Sequence, residues 1–121
     1  MTPPMADPAL ATRAIPGTGE PIPVIGLGTW QRFDAGAAPA ERAPLAEVLN
    51  AYLAGGGRVI DSSPMYGRAE GVVGDLLAAR PGGDAAEPRP FMATKVWTRG
   101  RAEGEAQMRR SMRLMRTHAW T

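Results

Sequence analysis

At 121 residues and 44% hydrophobic content, the chain is one small domain or part of a larger one, and it is too apolar for wholesale disorder. A net charge of +2, at a pI of about 9.7, does not make the clustered basic patch that a nucleic-acid footprint needs. Without cysteine there are no disulfides or thiolate metal sites, which suits a cytoplasmic protein, and no apolar run approaches the ~20 residues of a membrane helix.

Residues 1–10 carry three prolines and neither a charged n-region nor an apolar h-region, so they are no signal peptide, and residues 1–11 read as a flexible leader. The glycines and prolines that follow punctuate elements. Residues 12–15 and 22–24 flank Pro16-Gly17-Thr18-Gly19-Glu20-Pro21, which predicts a hairpin whose second run is confined to an edge by Pro21 and Pro23. Val24-Ile25-Gly26-Leu27-Gly28 is a brief apolar strand with glycines where backbone must bend or approach something closely, and Thr29-Trp30 closes it. A Gly/Ala-rich loop is expected over residues 34–40.

Leu45, Val48, Leu49, Tyr52 and Leu53 form one face of an amphipathic helix with Pro44 in its first turn, ended by Gly55-Gly56-Gly57. Residues 58–62 are the next strand. A second helix starts near Ala69, carries Val72, Val73, Leu76 and Leu77, and is stopped by Pro81-Gly82-Gly83. Residues 84–90 read as a surface connection, residues 91–96 as a strand, and residues 103 to about 117 as a third helix with Met108, Met112 and Met115 on one stripe. No internal repeat goes beyond this alternation. Strands alternating with helices imply an α/β fold of parallel βαβ units with right-handed crossovers. An open three-stranded sheet and the opening of a (β/α)₈ barrel both fit, and in such barrels functional residues sit at the carboxyl ends of strands. Gly28, Asp61 and Lys95 lie at such ends.

The chain is organised around Asp61-Ser62-Ser63-Pro64-Met65-Tyr66-Gly67, which runs from a strand end into a helix. A phenol is a poor acid near neutral pH, with an ordinary pKa of roughly 10; a neighbouring ammonium favours phenolate, and a carboxylate beside that ammonium holds it in place. Tyr66, Lys95 and Asp61 can therefore form a proton donor, its electrostatic tuner and the tuner's partner. Such a set suits protonation of a carbonyl oxygen while hydride arrives from a cofactor. Singly, each has a plainer explanation: Asp61 as a turn or cap residue, Tyr66 packed under a helix, Lys95 as a solvated strand terminus.

Gly26-Leu27-Gly28-Thr29-Trp30-Gln31 fails as a dinucleotide fingerprint, because Gln31 replaces the third glycine and no helix opens at once. Arg109, Arg110, Arg113 and Arg116 read as a solvated helix face, and His118, without a metal-ligand partner at useful spacing, has no role.

Together, Gly26-Leu27-Gly28-Thr29-Trp30, Gly57-Arg58-Val59-Ile60-Asp61-Ser62-Ser63-Pro64-Met65-Tyr66-Gly67 and Thr94-Lys95-Val96-Trp97 resemble the N-terminal part of the aldo-keto reductase family, from about residue 12 to residue 117. The resemblance implies a partial (β/α)₈ barrel domain over residues 12–121, its bottom closed by the N-terminal hairpin. It implies reduction of an aldehyde or ketone with NADPH, without a metal. It makes Tyr66 the general acid, Lys95 its tuner and Asp61 the partner of that lysine. It sets Gly28, Thr29 and Trp30 beside the nicotinamide and ribose, with Asp61 near the ribose, and makes Trp30 and Trp97 contacts of the substrate. For Trp97, a buried barrel aromatic is the competing expectation. Small-molecule carbonyl compounds are the expected partners, with no nucleic acid or membrane.

The family's fourth catalytic residue is a histidine at the end of strand four, and His118 comes too early to be it. A complete barrel takes about 250 residues. The chain is accordingly expected to be an N-terminal fragment with unpaired strand edges, with helix faces at residues 45–53 and 108–115 that lack neighbours, and with no carbonyl reduction of its own. The alternative is a non-catalytic remnant that binds a nucleotide or a partner weakly.

Overall fold

The computed structural model describes residues 9–117. Its first element is the expected hairpin, β1 (Thr12–Ala14) antiparallel to β2 (Pro21–Pro23), with Thr12 opposite Pro23 and Ala14 opposite Pro21. Its turn is closed by Gly19 N donating to Ile15 O at 2.7 Å, with Gly19 at φ +74°. That is backbone a side chain would strain.

Three parallel strands follow, β3 (Gly26–Gly28), β4 (Val59–Asp61) and β5 (Phe91–Ala93), in the order β3-β4-β5. Helices α1 (Pro39–Ala54), α2 (Ala69–Ala78) and α3 (Arg101–Met115) come after them in turn. Pairing sets Leu27, Ile60 and Met92 side by side, and Gly28, Asp61 and Ala93 side by side one residue on. Successive residues of a strand face opposite ways. The first row therefore packs under the helices, with Ile60 fully buried among Leu49, Leu53, Val72, Val73 and Leu77. The second row faces away from them. Each buried aliphatic side chain contributes about 1.5–3 kcal/mol relative to exposure, so the helix-covered face carries most of the cohesion.

The strands at the start of the chain and before Asp61 differ from expectation by one or two residues at their ends, and α1, β5 and α3 differ more. The first helix starts at Pro39 in its first turn, so the expected loop over 34–40 ends at Ala38, and Pro44 is interior. Pro44 lacks an N–H for the preceding turn. Val48, expected on the apolar face, is 47% exposed. The third strand stops at Ala93 rather than at residue 96, and α3 occupies Arg101–Met115 rather than 103–117. Gly56, at φ +96°, supplies the left-handed residue after α1.

The helix faces expected to lack neighbours are covered in part, with Val48 left exposed. Leu49 and Leu53 are buried in the core, and Met115 is buried where α3 packs on α2. Close approach there rests on Gly74, since a Cβ at that position would lie 1.8 Å from Leu114 O. The sheet itself stays open, since β3 and β5 each pair only with β4 among the described residues. Tyr52 ties the start of the sheet together: its hydroxyl accepts from Val59 N at 3.0 Å and lies 2.6 Å from Ile25 O and 2.8 Å from Val59 O. Among the described residues, no helix is long and apolar enough to cross a membrane.

Candidate active site

The site lies where the three parallel strands end. β4 ends at Asp61, and the two residues after it, Ser62 and Ser63, are buried. Buried Thr29, one residue past β3, donates to Asp61 O at 2.9 Å and shares a 2.8 Å hydrogen bond with Ser62 Oγ. The ends of β3 and β4 are thereby joined by side chains where the ladder stops. Pro64 and Met65 then form a turn in which Tyr66 N donates to Ser63 O at 3.0 Å and Met65 N to Ser63 Oγ at 3.1 Å. This turn presents the Tyr66 side chain before α2 begins.

Lys95 follows β5 by two residues and reaches back across the sheet end. Its ammonium donates to Ser62 O at 2.6 Å and lies 3.1 and 3.3 Å from the two carboxylate oxygens of Asp61. It also stands 5.0 Å from the centre of the Tyr66 ring, within cation–π range. Asp61, Tyr66 and Lys95 are thus in one cluster, with the ammonium over the ring face and no hydrogen bond between Lys95 and the Tyr66 hydroxyl among the described residues. The Lys95 and Asp61 side chains are 36% and 47% exposed, so water screens the ion pair and it contributes only about 0–1 kcal/mol to stability. Its value is in location.

Gly28, in register with Asp61, has open space where a side chain would point, with nothing within 4 Å. Trp30 and Trp97 are each 64% exposed. The Trp97 backbone is held by the Gln107 side chain, which contacts its N–H and its carbonyl.

Three groups at the site carry no sequence signal. Asp34 accepts from Arg68 N at 3.0 Å and from Arg68 Nε at 3.5 Å, fastening the loop after Trp30 to the turn after Tyr66. The Arg68 backbone N–H above all, then the guanidinium, hold the Asp34 carboxyl below its ordinary range, with desolvation acting the other way. Gly67, at φ +61°, permits this contact, because a Cβ there would lie 2.5 Å from the Asp34 carboxyl. Ser62 gives its carbonyl to Lys95. Thr94 Oγ1 donates to buried Glu70 at 2.8 Å. Such pairings join residues far apart in the chain, beyond the reach of any local sequence pattern.

The sequence profile of the aldo/keto reductase family matches residues 24–119. Among solved structures, the chain is similar to an aldo-keto reductase from Klebsiella pneumoniae in complex with NADPH, at 28% identity and a TM-score of 0.69 over 92% of this chain and 38% of that one. It is similar to the glycerol dehydrogenase of Gluconobacter oxydans at 26% identity and a TM-score of 0.66, over 90% and 37% of the two chains. An aldo-keto reductase of the silkworm Bombyx mori, at 24% identity, shares the fold at a TM-score of 0.67 over 93% and 35%. The chain spans less than half the length of each of these proteins. No match emerged among curated proteins. The hairpin and parallel strands match the N-terminal part of these (β/α)₈ barrel structures, and the barrel is not closed. With the family profile covering most of its length, this chain belongs to the aldo/keto reductase family.

Proposed function

We propose that these residues carry the first part of an oxidoreductase site that reduces an aldehyde or ketone with NADPH, with Tyr66 as the proton donor. The observation that supports it most is the joining of Lys95 to Asp61 at 3.1 Å with its ammonium 5.0 Å from the Tyr66 ring centre, all at strand ends. The NADPH in the Klebsiella relative supports the choice of cofactor.

The residues present fit the nicotinamide end of such a cofactor. Gly28 leaves open space beside Asp61, whose carboxylate is half exposed and able to accept hydrogen bonds from ribose hydroxyls, and Thr29 and Trp30 follow directly in the chain. When bound, a nicotinamide would supply hydride to the carbonyl carbon. Tyr66 gives its hydroxyl proton to the carbonyl oxygen, so the product is an alcohol, and the phenolate takes a proton back from solvent. Lys95 stabilises the negative charge that develops on the phenol oxygen. Asp61 and the Ser62 carbonyl keep the ammonium from turning away into water. Exposed Trp30 and Trp97 offer apolar surface to the substrate. The histidine that the family resemblance adds to this set is not His118, which lies outside the described residues.

Tyr66→Phe removes the proton and keeps the ring under Lys95. In a full-length protein that carries this sequence, it should lower aldehyde-dependent NADPH oxidation by about 10²- to 10⁴-fold, while NADPH binding, read by nucleotide fluorescence, stays the same. Full rate in the variant rejects the acid assignment. Binding without turnover in the unaltered protein favours a non-catalytic nucleotide-binding module instead.

A further inference from the structure

We propose that Glu70 is a positioning residue for Lys95 and acts through Thr94, an inference that rests on reading Lys95 as part of the site. Glu70 is 3% exposed, and a carboxylate that leaves water is costly to bury unless it is hydrogen-bonded. Among the described residues it has no ion-pair partner, and its side-chain hydrogen bond is the one from Thr94 Oγ1 at 2.8 Å. The first turn of α2, where Glu70 stands, favours negative charge through the aligned backbone N–H groups of the helix start. The side chain thus stands at the helix start and is directed at one hydroxyl.

The position of that hydroxyl supplies the reason. β5 ends at Ala93, whose carbonyl accepts from Ser62 N at 2.9 Å in the last main-chain bond between the two strands. Thr94 is the next residue and Lys95 the one after. Lys95 thus leaves the chain beyond the sheet ladder, on a side chain with four rotatable bonds. For its ammonium to meet Ser62 O at 2.6 Å, Asp61 at 3.1 Å and the Tyr66 ring together, the backbone at residues 94–95 has to be anchored by something other than the sheet. The Glu70–Thr94 bond is that anchor. It draws on α2, whose Ala69, Val72 and Val73 are buried in the core, so the reference point is rigid. The helix after Tyr66 and the strand before Lys95 are thereby held in one frame.

The sequence contains a single lysine, which makes the inference directly readable. Trace acylation of the full chain with acetic anhydride modifies Lys95 and the terminal α-amine, and mass spectrometry gives the rate of one against the other. Thr94→Val, near-isosteric but without the hydroxyl, and Glu70→Ala should each raise the relative rate at Lys95 by about threefold to tenfold. Thr94→Ser restores the hydroxyl and should return the rate to that of the unaltered chain, and Glu70→Gln, which still accepts the bond, should stay within about twofold of it. A residue that only filled the helix start would change the melting temperature and leave Lys95 acylation unmoved. If Glu70→Ala does not fold, the Thr94 pair decides. Equal acylation of Thr94→Val and the unaltered chain overturns the proposal, as does a Thr94→Ser variant that behaves like Thr94→Val. The readout needs no turnover, so it stands even if Tyr66→Phe retains full reductase rate and the catalytic reading falls.

Discussion

Replacing Gly74 by alanine puts a methyl group into the contact between α2 and α3. Its Cβ would lie 1.8 Å from Leu114 O, 3.0 Å from Leu114 C and 3.3 Å from Met115 Cα, where real Cβ contacts essentially never fall below 3.0 Å. The obstacle is backbone, which cannot rotate aside, so α3 has to retreat by at least about 1 Å. A radial gap of ~0.5–1 Å forfeits a quarter to a half of the dispersion attraction across it, and overpacking of this kind costs about 1–3 kcal/mol. Alanine returns at most ~1 kcal/mol through helix propensity. The net expectation is a destabilisation of about 2 kcal/mol, equivalent to a fall of roughly 10 °C in melting temperature for a domain of this size. Gly71, three residues earlier on the same helix, is the internal control. A Cβ there meets Leu114 Cδ2 at 3.7 Å, an ordinary contact, so Gly71→Ala should be neutral or stabilising by up to ~1 kcal/mol. Thermal and urea unfolding followed by circular dichroism would show opposite signs for one chemical change. A Gly74→Ala protein as stable as the unaltered chain refutes the packing argument.

Gly28→Ala separates fold from function. Nothing lies within 4 Å of its Cβ position, so the melting temperature should hold, while NADPH affinity measured by fluorescence titration should fall by about fivefold or more if the nicotinamide end approaches there; unchanged affinity removes Gly28 from the cofactor site. Asp34, whose carboxyl is held below its ordinary range chiefly by the Arg68 N–H, contributes stability above the unfolded-state value and loses it as pH falls through the folded one. The stability difference between the unaltered chain and Asp34→Asn in urea should therefore be present at about pH 7 and shrink toward about pH 3; a difference that does not depend on pH argues against the linkage.

Much of the architecture could be read from punctuation. Gly55-Gly56-Gly57 and Pro81-Gly82-Gly83 each follow an apolar run of helical period, and the structure ends α1 and α2 at or just before them. The start of α1 could not be found this way. Residues 39–44 contain no large apolar side chain, so the periodicity begins only at Leu45 although the helix begins six residues earlier at Pro39. The sequence pattern carries the third strand on through Lys95, because Thr94, Val96 and Trp97 suit a strand and nothing local shows that the strand ends at Ala93 and Thr94 turns to Glu70. Nothing in the sequence singles out Glu70. Its burial depends on Thr94, 24 residues further along, a distance at which neither propensity nor period carries information.

The pleat explains why a site could be anticipated where its supporting contacts could not. Alternation along β3, β4 and β5 commits Leu27, Ile60 and Met92 to the helices, and that commitment alone sends Gly28 and Asp61 to the other face. A one-residue slip in register would bury the Asp61 carboxylate and expose Ile60, at a cost in both desolvation and lost apolar burial. The hydrophobic pattern that stabilises the fold is therefore also what brings Asp61 out beside Lys95. Tyr66 and Lys95 lie past the ends of their strands, where the pleat no longer dictates direction. There the directing contacts are side-chain bonds: Thr29 to Asp61, Asp34 to Arg68, and Thr94 to Glu70. Substitutions in the first class should act on stability and the site together. Those in the second should be able to alter the site while the core stays intact, and Lys95 acylation in the Thr94 variants measures that separation.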